Sequence, residues 1–231
     1  MPMCGRYSLT QQEWDIDLGS VNVSIRTRKR YNIGPMQKAP VIRLREEQAV
    51  VEELRWGLIP SWTKDTKLAA SCINARSETV AEKPAFRSAF KSRRCLIPAD
   101  GFFEWVAQGK LKLPWRMVLK GGEPMLFAGL WECWQPKEQP AVREESFTVL
   151  TTTPNQEAGR IHDRMPVILK PQDALLWLRP ETTKEQLLSF CVPAPDGCLD
   201  TFRVSPVVNS ARNEVPECVE RIAVQAELGG Q

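Results

Sequence analysis

Short apolar runs separated by turn signals are the feature that most constrains the fold of this 231-residue chain. Dipeptides typical of turns, among them Gly34-Pro35, Asp100-Gly101 and Gly121-Gly122, divide the sequence at short intervals. The segments between these signals have the length and the apolar, β-branched or aromatic composition of strands. They predict strands over residues 41–44, 49–54, 95–97, 102–106, 115–119, 125–130, 147–152 and 167–169.

Helical patterns are fewer, and they stand between the predicted strands. Residues 82–92 predict a helix that begins near Pro84, residues 171–178 a helix with proline in its first turn, and residues 183–190 a helix with a threonine cap. Because these helices do not alternate strictly with strands, we expect an α+β fold rather than a Rossmann-type sheet. The prediction is a single mixed domain over residues 1–231, with a curved, barrel-like β core, peripheral helices, a surface loop at 136–145 and a tail from about residue 216.

Cysteine usage and hydropathy exclude several classes of protein. The seven cysteines are odd in number and scattered without a CxxC pair, and the chain has one histidine. A zinc site and a secreted disulfide scaffold are therefore disfavoured, and we expect neither a metal nor a cofactor. No apolar run has membrane-spanning length, and no signal peptide is recognisable. The prediction is a reduced cytoplasmic protein without membrane association.

Cys4 stands close to the N-terminus, behind only Met1, Pro2 and Met3. A cysteine at a mature N-terminus carries a thiol and a primary amine on adjacent carbons. The amine titrates near pH ~8 and the thiol near ~8.5, so both are partly reactive at neutral pH. Together they can capture an aldehyde, first as an imine and then as a five-membered thiazolidine. The alternative is that Cys4 is a small packing residue in a first strand.

The distribution of charge is compatible with nucleic acid, although the net charge of +3 is only mildly basic. Basic residues cluster at 26–30 and at 91–94, each close to a segment with tyrosine or tryptophan. Basic groups neutralise phosphates and aromatic rings stack on bases, which suits a single strand. A solvated face of lysine and arginine is the alternative interpretation.

Three polar residues occupy segments where apolar ones would be expected. Glu104 lies between Phe103 and Trp105, where desolvation would raise its pKa and favour proton transfer near neutrality. His162, the single histidine, is followed by an aspartate and an arginine, and could act as a general acid or base. Asn74 stands in the polar segment 73–78. Structural alternatives are a turn former for Asn74, an ion-pair partner for Glu104 and a packed histidine for His162.

A comparison with known catalytic motifs excludes some enzyme classes. No GxSxG elbow accompanies His162, which argues against a serine hydrolase, and no glycine-rich phosphate loop is present. A cysteine peptidase that pairs Cys4 with His162 remains compatible with the sequence.

Six segments in a fixed order resemble the SRAP family of abasic-site processing proteins, whose name refers to SOS response-associated peptidases. The resemblance covers the chain from Cys4 to about Asn209. The segments are Cys4-Gly5-Arg6-Tyr7, Tyr31-Asn32-Ile33-Gly34-Pro35, Trp56-Gly57-Leu58-Ile59-Pro60-Ser61-Trp62, Ile73-Asn74-Ala75-Arg76-Ser77-Glu78-Thr79, Pro98-Ala99-Asp100-Gly101-Phe102-Phe103-Glu104-Trp105 and Ile161-His162-Asp163-Arg164-Met165-Pro166.

The resemblance implies that an N-terminal Cys4 forms a covalent thiazolidine crosslink with an abasic site in single-stranded DNA and thereby shields the lesion. It implies that Asn74 supports the cysteine and that Glu104 and His162 assist sugar opening and proton transfer. It also implies a DNA-binding set with phosphate-holding arginines and aromatic residues: Arg6, Arg76, Trp56, Trp62, Trp105, Asp163 and Arg164. We expect single-stranded abasic DNA as the partner, a monomer as the acting species and association with the nucleoid through DNA.

Two other functions stay open at this point. One is a cysteine peptidase acting on proteins through Cys4 and His162. The other is a non-covalent reader of single-stranded or modified-base DNA that uses only the basic and aromatic surface.

The start of the chain departs from the Met-Cys beginning that is usual in the family. Residues 1–3 must be absent before Cys4 can offer its amine. A translation start at Met3, residues added ahead of the natural start, or self-cleavage by attack of Cys4 on the preceding carbonyl would each achieve this. We favour the first two routes over self-cleavage.

Overall fold

The computed structural model describes residues 5–136, 138 and 141–222. These residues form fifteen strands, four α-helices and three short 3-10 helices. In chain order the strands are β1 (Tyr7–Leu9), β2 (Glu13–Asp17), β3 (Asn22–Arg26), β4 (Arg30–Ile33), β5 (Lys38–Arg45), β6 (Gln48–Trp56), β7 (Asn74–Arg76), β8 (Arg94–Ala99), β9 (Gly101–Gln108), β10 (Leu111–Leu119), β11 (Met125–Trp134), β12 (Glu144–Thr152), β13 (Met165–Pro166), β14 (Ile168–Leu169) and β15 (Leu199–Arg203). The α-helices are α1 (Arg87–Ser92), α2 (Gln156–Gly159), α3 (Pro171–Leu178) and α4 (Lys184–Ser189), and the 3-10 helices are Lys67–Ser71, Pro206–Asn209 and Pro216–Cys218.

Five strands close on themselves as a barrel. Antiparallel pairs join β5 to β6, β5 to β8, β8 to β11 and β11 to β12, and a parallel pair between β12 and β6 completes the ring. The β5–β6 hairpin turns at Glu46 and Glu47, which both have positive φ (47° and 65°), as in a type I′ turn. The predicted barrel-like core is confirmed.

The parallel edge of the barrel opens into an insertion that carries candidate site residues. β6 pairs with β12 only at Ser146 and Phe147, and the chain then leaves the barrel. It returns as β7, which pairs with β12 in parallel at positions 149–151. One side of β12 is therefore shared by two consecutive segments, and the residues between them form a lobe over this part of the barrel.

A second sheet of five strands, in the order β15-β10-β9-β1-β4, packs against the barrel. The cluster between them includes Tyr7 and Phe102 from the sheet and Phe127 from β11, whose rings meet edge to face. On the other side of the barrel, residues of α1, α3 and α4 and the β2–β3 hairpin form a second cluster. Strands such as β5 and β8 are buried on both faces for this reason, and they therefore lack an alternating polar pattern.

Most of the predicted elements are confirmed, with shifted bounds. The helix at 183–190 is α4, and Thr183 forms a capping box with Gln186. The helix predicted over 82–92 was too long, because residues 79–86 form turns and α1 begins only at Arg87. The predicted tail also begins too early, since Cys218 is fully buried and Ile222 N–H donates to the Arg203 carbonyl. Residues 1–4 and 223–231 lie outside the described residues, as do three positions of the predicted 136–145 loop.

Two members of the basic clusters are structural. Arg94 is 3% exposed and donates to four backbone carbonyls, those of Phe90, Lys91, Trp177 and Arg179. Arg30 is 5% exposed and pairs with Glu214. Both guanidinium groups bond to buried acceptors and do not reach a surface ligand. The basic surface is therefore smaller than the clusters in the sequence indicate.

Three charged residues meet within the barrel wall. Arg43 is 1% exposed, and its guanidinium donates to Glu52 Oε2 (Nε, 2.6 Å) and Glu145 Oε2 (Nη2, 2.8 Å). Burial of the two glutamates acts to raise their pKa values. Hydrogen bonds from their arginine partners outweigh that effect and leave both pKa values below the ordinary 4.5.

We expect the free energy of unfolding to fall with acidification because of these two carboxylates. Each carboxylate has a pKa in the folded protein below its unfolded value of 4.5. Its contribution to the free energy of unfolding is therefore fully present above pH 4.5 and is lost as the pH falls through the folded pKa. Urea unfolding followed between about pH 6 and pH 3 measures the loss. Glu52→Gln removes one titrating group and should flatten the curve; an equal slope in that variant would contradict the assignment.

No helix among the described residues has both the length and the apolar character needed to cross a membrane.

Candidate active site and nucleic-acid interface

Glu104 lies on β9, between β1 and β10 in the second sheet. Its side chain is 5% exposed, although it is a carboxylate. β1 runs antiparallel beside it, with Tyr7 opposite Phe102 and the Arg6 carbonyl accepting from the Phe103 amide at 3.0 Å. The same register, extended by two residues from Tyr7, brings Gly5 opposite Glu104. Cys4 itself lies outside the described residues.

His162 approaches Glu104 from the loop after α2. Asn155 caps that helix by accepting from the Ala158 amide at 3.0 Å, and the His162 amide donates to the Ala158 carbonyl at 2.9 Å. The loop is therefore anchored on both sides of the turn. His162 Nε2 then lies 4.0 Å from Glu104 Oε2, and the imidazole is 22% exposed.

The second ring nitrogen of His162 has two neighbours that require different protonation states. The Arg164 amide donates to Nδ1 at 3.2 Å, which needs a lone pair there, whereas Asp163 Oδ1 lies 2.9 Å from the same atom. The Asp163 side chain is 82% exposed and can turn to water, but the Arg164 amide is fixed by the backbone. The hydrogen bond from the Arg164 amide uses a lone pair on Nδ1, and Nε2 is the ring nitrogen that faces Glu104.

Asn74 and Arg76 come from β7, and they reach the same region through β12. Asn74 is partly buried, and Arg76 is exposed. A groove of about 310 Å³ is lined by both residues together with Ile73, Lys83 and Phe86. Its lining combines two cationic side chains, Arg76 and Lys83, with apolar Ile73 and Phe86, a combination that suits a phosphate and its base.

Thr151 on β12 is the point where the segments with Asn74 and His162 meet. Arg76 is its register partner, the Ser77 amide donates to its carbonyl at 2.9 Å, and Arg164 Nη2 donates to the same carbonyl at 2.6 Å. Arg164 also makes a bidentate ion pair with Glu78, and hydrogen bonding from Arg164 lowers the Glu78 pKa. One buried arginine thus ties the two loops of the site together.

These bonds to Glu78 and Thr151 correct the expectation that Arg164 contacts DNA. Its side chain is 9% exposed and its terminal nitrogens are engaged with Glu78 and Thr151, so we reassign it from DNA contact to a structural link. Asp163 is exposed, but its negative charge would repel a phosphate. We interpret it as a neighbour of His162 rather than as a DNA-binding residue.

The three predicted tryptophans have different environments. Trp56 is fully buried, stacks on Phe147 and donates from its indole nitrogen to the Ile73 carbonyl at 2.8 Å. It presents no ring to a base, and its assignment to the DNA surface is corrected to the core. Trp62 is 61% exposed on the loop after β6, and Trp105 is partly buried beside Glu104. These two rings remain candidates for base stacking.

Arg6 extends over Trp105, with its guanidinium carbon 5.6 Å from the ring centroid. Burial lowers the pKa of Arg6, and the group stays fully charged at neutral pH because an arginine pKa is far above 7. Arg6 and Trp105 lie on the face of the second sheet opposite to the Glu104 side chain, because successive residues of a strand point to opposite faces. A larger apolar cavity of about 710 Å³, bordered by the β2–β3 hairpin, includes none of the predicted site residues.

The fold and the site define a mixed α+β barrel protein in which a buried carboxylate lies 4.0 Å from a partly exposed imidazole, and which also carries basic and aromatic side chains at its surface. The family model described as SOS response associated peptidase (SRAP) matches residues 3–211. The chain belongs to the SRAP family, as its sequence motifs predicted.

Similar proteins support this assignment. The chain is 39% identical over 226 residues to abasic site processing protein YoqW of Bacillus subtilis, covering 94% of this chain and 99% of that protein. It is 30% identical over 238 residues to abasic site processing protein HMCES of Gallus gallus, covering 88% of this chain and 68% of that protein. A crystal structure of a protein from Bacteroides thetaiotaomicron aligns with a TM-score of 0.78 at 28% identity, covering 85% of this chain and 87% of the other.

Proposed function

We propose that this protein processes abasic sites in single-stranded DNA by forming a covalent thiazolidine link through Cys4. The observation that carries the proposal is the pair formed by Glu104 and His162, 4.0 Å apart, beside the strand that follows Cys4. The names of the relatives support abasic-site processing as the broad activity.

The first chemical step is opening of the abasic sugar, which is mostly a closed hemiacetal. The ring oxygen gains a proton, the hydroxyl on the anomeric carbon loses one, and an aldehyde results. A carboxyl group and an imidazole on adjoining elements can supply and remove these protons, the usual task of a general acid and base. Exclusion of water around Glu104 strengthens each such interaction.

Capture of the aldehyde follows in two bond-forming steps. The α-amine of Cys4 adds to the aldehyde carbon and a water molecule leaves, which gives an imine. The thiolate then adds to the imine carbon, the nitrogen takes up a proton, and the five-membered ring closes. An imine that persisted would permit β-elimination of the 3′ phosphate, so rapid thiol capture protects the strand. The α-amine exists only once residues 1–3 are gone.

A denaturing gel tests this function. An oligonucleotide with one uracil is incubated with uracil glycosylase and the protein, and we expect a slower band that survives heating in detergent. The same oligonucleotide without glycosylase should give none. DNA binding without a covalent band would support the non-covalent reader instead. Cleavage of added proteins in the absence of DNA would support the peptidase.

Arg76 and Arg164 form a matched pair for testing the DNA surface, because one is exposed and the other is committed to Glu78. We expect Arg76→Ala to weaken binding of abasic single strands and to reduce the slope of log affinity against log salt by about 0.7, the change for one lost phosphate contact. Arg164→Ala should leave that slope unchanged and lower the thermal midpoint instead. An unaltered slope in Arg76→Ala would exclude its phosphate contact.

A further inference from the structure

The segment 205–214 follows the last strand, and we call it the brace. It contains the 3-10 helix Pro206–Asn209, begun by Ser205 as its side-chain cap, and the turn that leads to Glu214. It is far from β1 and β9 in the chain, yet it contacts two of the candidate DNA-binding residues, Arg6 and Trp105, directly. Sequence patterns did not indicate this role, because both contacts join residues that are far apart in the chain.

Trp105 is held by one residue of the brace. Its indole nitrogen donates to Asn209 Oδ1 at 2.6 Å, and Asn209 Nδ2 donates in turn to the Lys112 carbonyl on β10 at 3.2 Å. Both functional groups of the Asn209 amide are therefore occupied, and they fix the direction of the acceptor. Asn209 itself is exposed, so the contact is a local restraint on the ring and not part of the core.

Arg6 is held by the brace and by Asn32 together. Its Nη1 donates to the Val208 carbonyl at 2.9 Å and to Asn32 Oδ1 at 2.6 Å. A side chain on Gly34 would place its Cβ 3.3 Å from Arg6 Nε and 3.4 Å from Ala211 Cβ. Glycine at this position lets Arg6 lie between β4 and the brace.

Asn32 locks the brace to β4. It is fully buried, and its Nδ2 lies within hydrogen-bond distance of the carbonyls of Val208, Ser210 and Asn213, at 3.3, 2.9 and 2.8 Å. The backbone N–H of Asn32 donates to Glu214 Oε1 at 3.1 Å. A buried asparagine with this many partners holds its oxygen in one direction, which is the direction of Arg6.

We propose that the brace positions the DNA-contacting side chains of Arg6 and Trp105, with Asn209 as the positioning residue for Trp105 and Asn32 as that for Arg6. This inference rests on the proposed function, because it assumes that both side chains meet DNA. Pre-organisation reduces the loss of side-chain freedom on binding. The brace therefore acts on affinity for the DNA and leaves the chemical step to other residues.

Asn209→Ala tests whether Asn209 positions Trp105. We expect a dissociation constant for abasic single-stranded DNA about threefold to fivefold higher, a part of what a base–aromatic stack contributes. The crosslinking rate at saturating DNA should stay at the wild-type value, because Glu104 and His162 are untouched. The salt slope should also stay the same, since the indole carries no charge.

A double-mutant cycle separates positioning from general loosening. Trp105→Phe keeps a ring but has no N–H donor, so adding Asn209→Ala to it should cause no further loss of affinity. Asn213→Ala is the control within the brace, since it removes only the bond from Nδ2 to the Val207 carbonyl at 2.7 Å and no contact to Trp105. An equal effect of Asn209→Ala in both backgrounds would overturn the inference. If the wild-type protein neither binds nor crosslinks abasic DNA, the proposed function fails instead.

Asn32→Asp tests whether Asn32 positions Arg6. The carboxylate can still accept from Arg6 Nη1 but can no longer donate to the brace carbonyls, and its negative charge competes with a phosphate for the guanidinium. We expect the salt slope to fall by about 0.7, as it should in Arg6→Gln, which removes the charge directly. A folded Asn32→Asp protein with the wild-type salt slope would exclude positioning of Arg6 by Asn32. An Arg6→Gln protein with that slope would exclude a phosphate contact by Arg6.

Discussion

Glu104→Gln is expected to slow covalent capture of abasic DNA by about 10²–10⁴-fold, the range for loss of a general acid or base. Glutamine has the same shape and keeps hydrogen-bonding capacity, but it cannot exchange a proton. The dissociation constant for DNA should be unchanged, because the side chain is only 5% exposed and carries no phosphate contact in this proposal. Single-turnover crosslinking at saturating DNA measures the rate, and binding at short times measures the affinity.

Glu132→Gln is the matched control for this change. Glu132 is also a buried glutamate, 5% exposed, but it pairs with Arg93 on the other side of the barrel wall. Its replacement should lower stability without changing the crosslinking rate. If Glu104→Gln reduces affinity and rate together and by the same factor, Glu104 is a structural residue.

The step at which Glu104 acts can be isolated with a second substrate. An oligonucleotide that carries an acyclic aldehyde needs no sugar opening, so the amine can attack at once. We expect Glu104→Gln to recover most of its rate on that substrate if its role is proton transfer to the ring oxygen. A defect of the same size on both substrates would place its role after ring opening.

Local sequence pattern was sufficient for the central strands and insufficient for the edges of the fold. The run 125–130 is apolar, and the run 147–152 combines apolar residues with β-branched threonines, because both faces of the barrel wall are covered. β1 has only three residues, and β2 and β15 mix polar and apolar ones, so neither length nor period distinguishes them from loops. Their pairing partners lie far along the chain and decide their conformation.

Side-chain environment was predictable for Glu104 and not for the arginines and tryptophans. The flanking aromatic residues of Glu104 correctly indicated burial, since β9 packs both faces at that point. Arg94 and Trp56 belong to sequence segments that suggest a DNA surface, but long-range contacts placed both inside. Residue type and neighbours alone do not reveal whether a guanidinium meets solvent or four carbonyls.

Sequence patterns proposed a set of site residues, but they gave no indication of where the fold places those residues relative to one another. Asn74, Glu104 and His162 stand on β7, on β9 and in the loop after α2. The packing of the barrel on the second sheet places His162 Nε2 4.0 Å from Glu104 Oε2, whereas Asn74 lines the groove beside Arg76. The contact between Arg6 and Val208 joins positions 202 residues apart. No spacing rule anticipates it, which is why the brace was not predicted.

Cys4→Ala is expected to change the outcome of the reaction from protection to strand cleavage. An alanine at the mature N-terminus still offers an α-amine, so the imine forms as before. It has no thiol to close the ring, and the imine persists. Loss of a proton from the sugar carbon next to the imine then expels the 3′ phosphate by β-elimination.

The expected result in a gel is loss of the heat-stable adduct to background and the appearance of a shorter DNA product. Borohydride added during the reaction should trap the imine as a stable amine and restore a covalent band. Expression from Met3 with removal of that methionine provides the free N-terminus in both proteins. Cys198→Ala, which alters another partly exposed thiol, should behave as the wild type.

Intact-mass measurement completes the test, because the thiazolidine requires the amine of residue 4. A wild-type protein that retains residues 1–3 and still crosslinks in full would exclude this chemistry. A Cys4→Ala protein that forms the heat-stable adduct without borohydride would exclude Cys4 as the nucleophile. Either result would rule out a thiazolidine at residue 4 and require a different covalent link, since only an N-terminal cysteine carries an amine and a thiol on adjacent carbons.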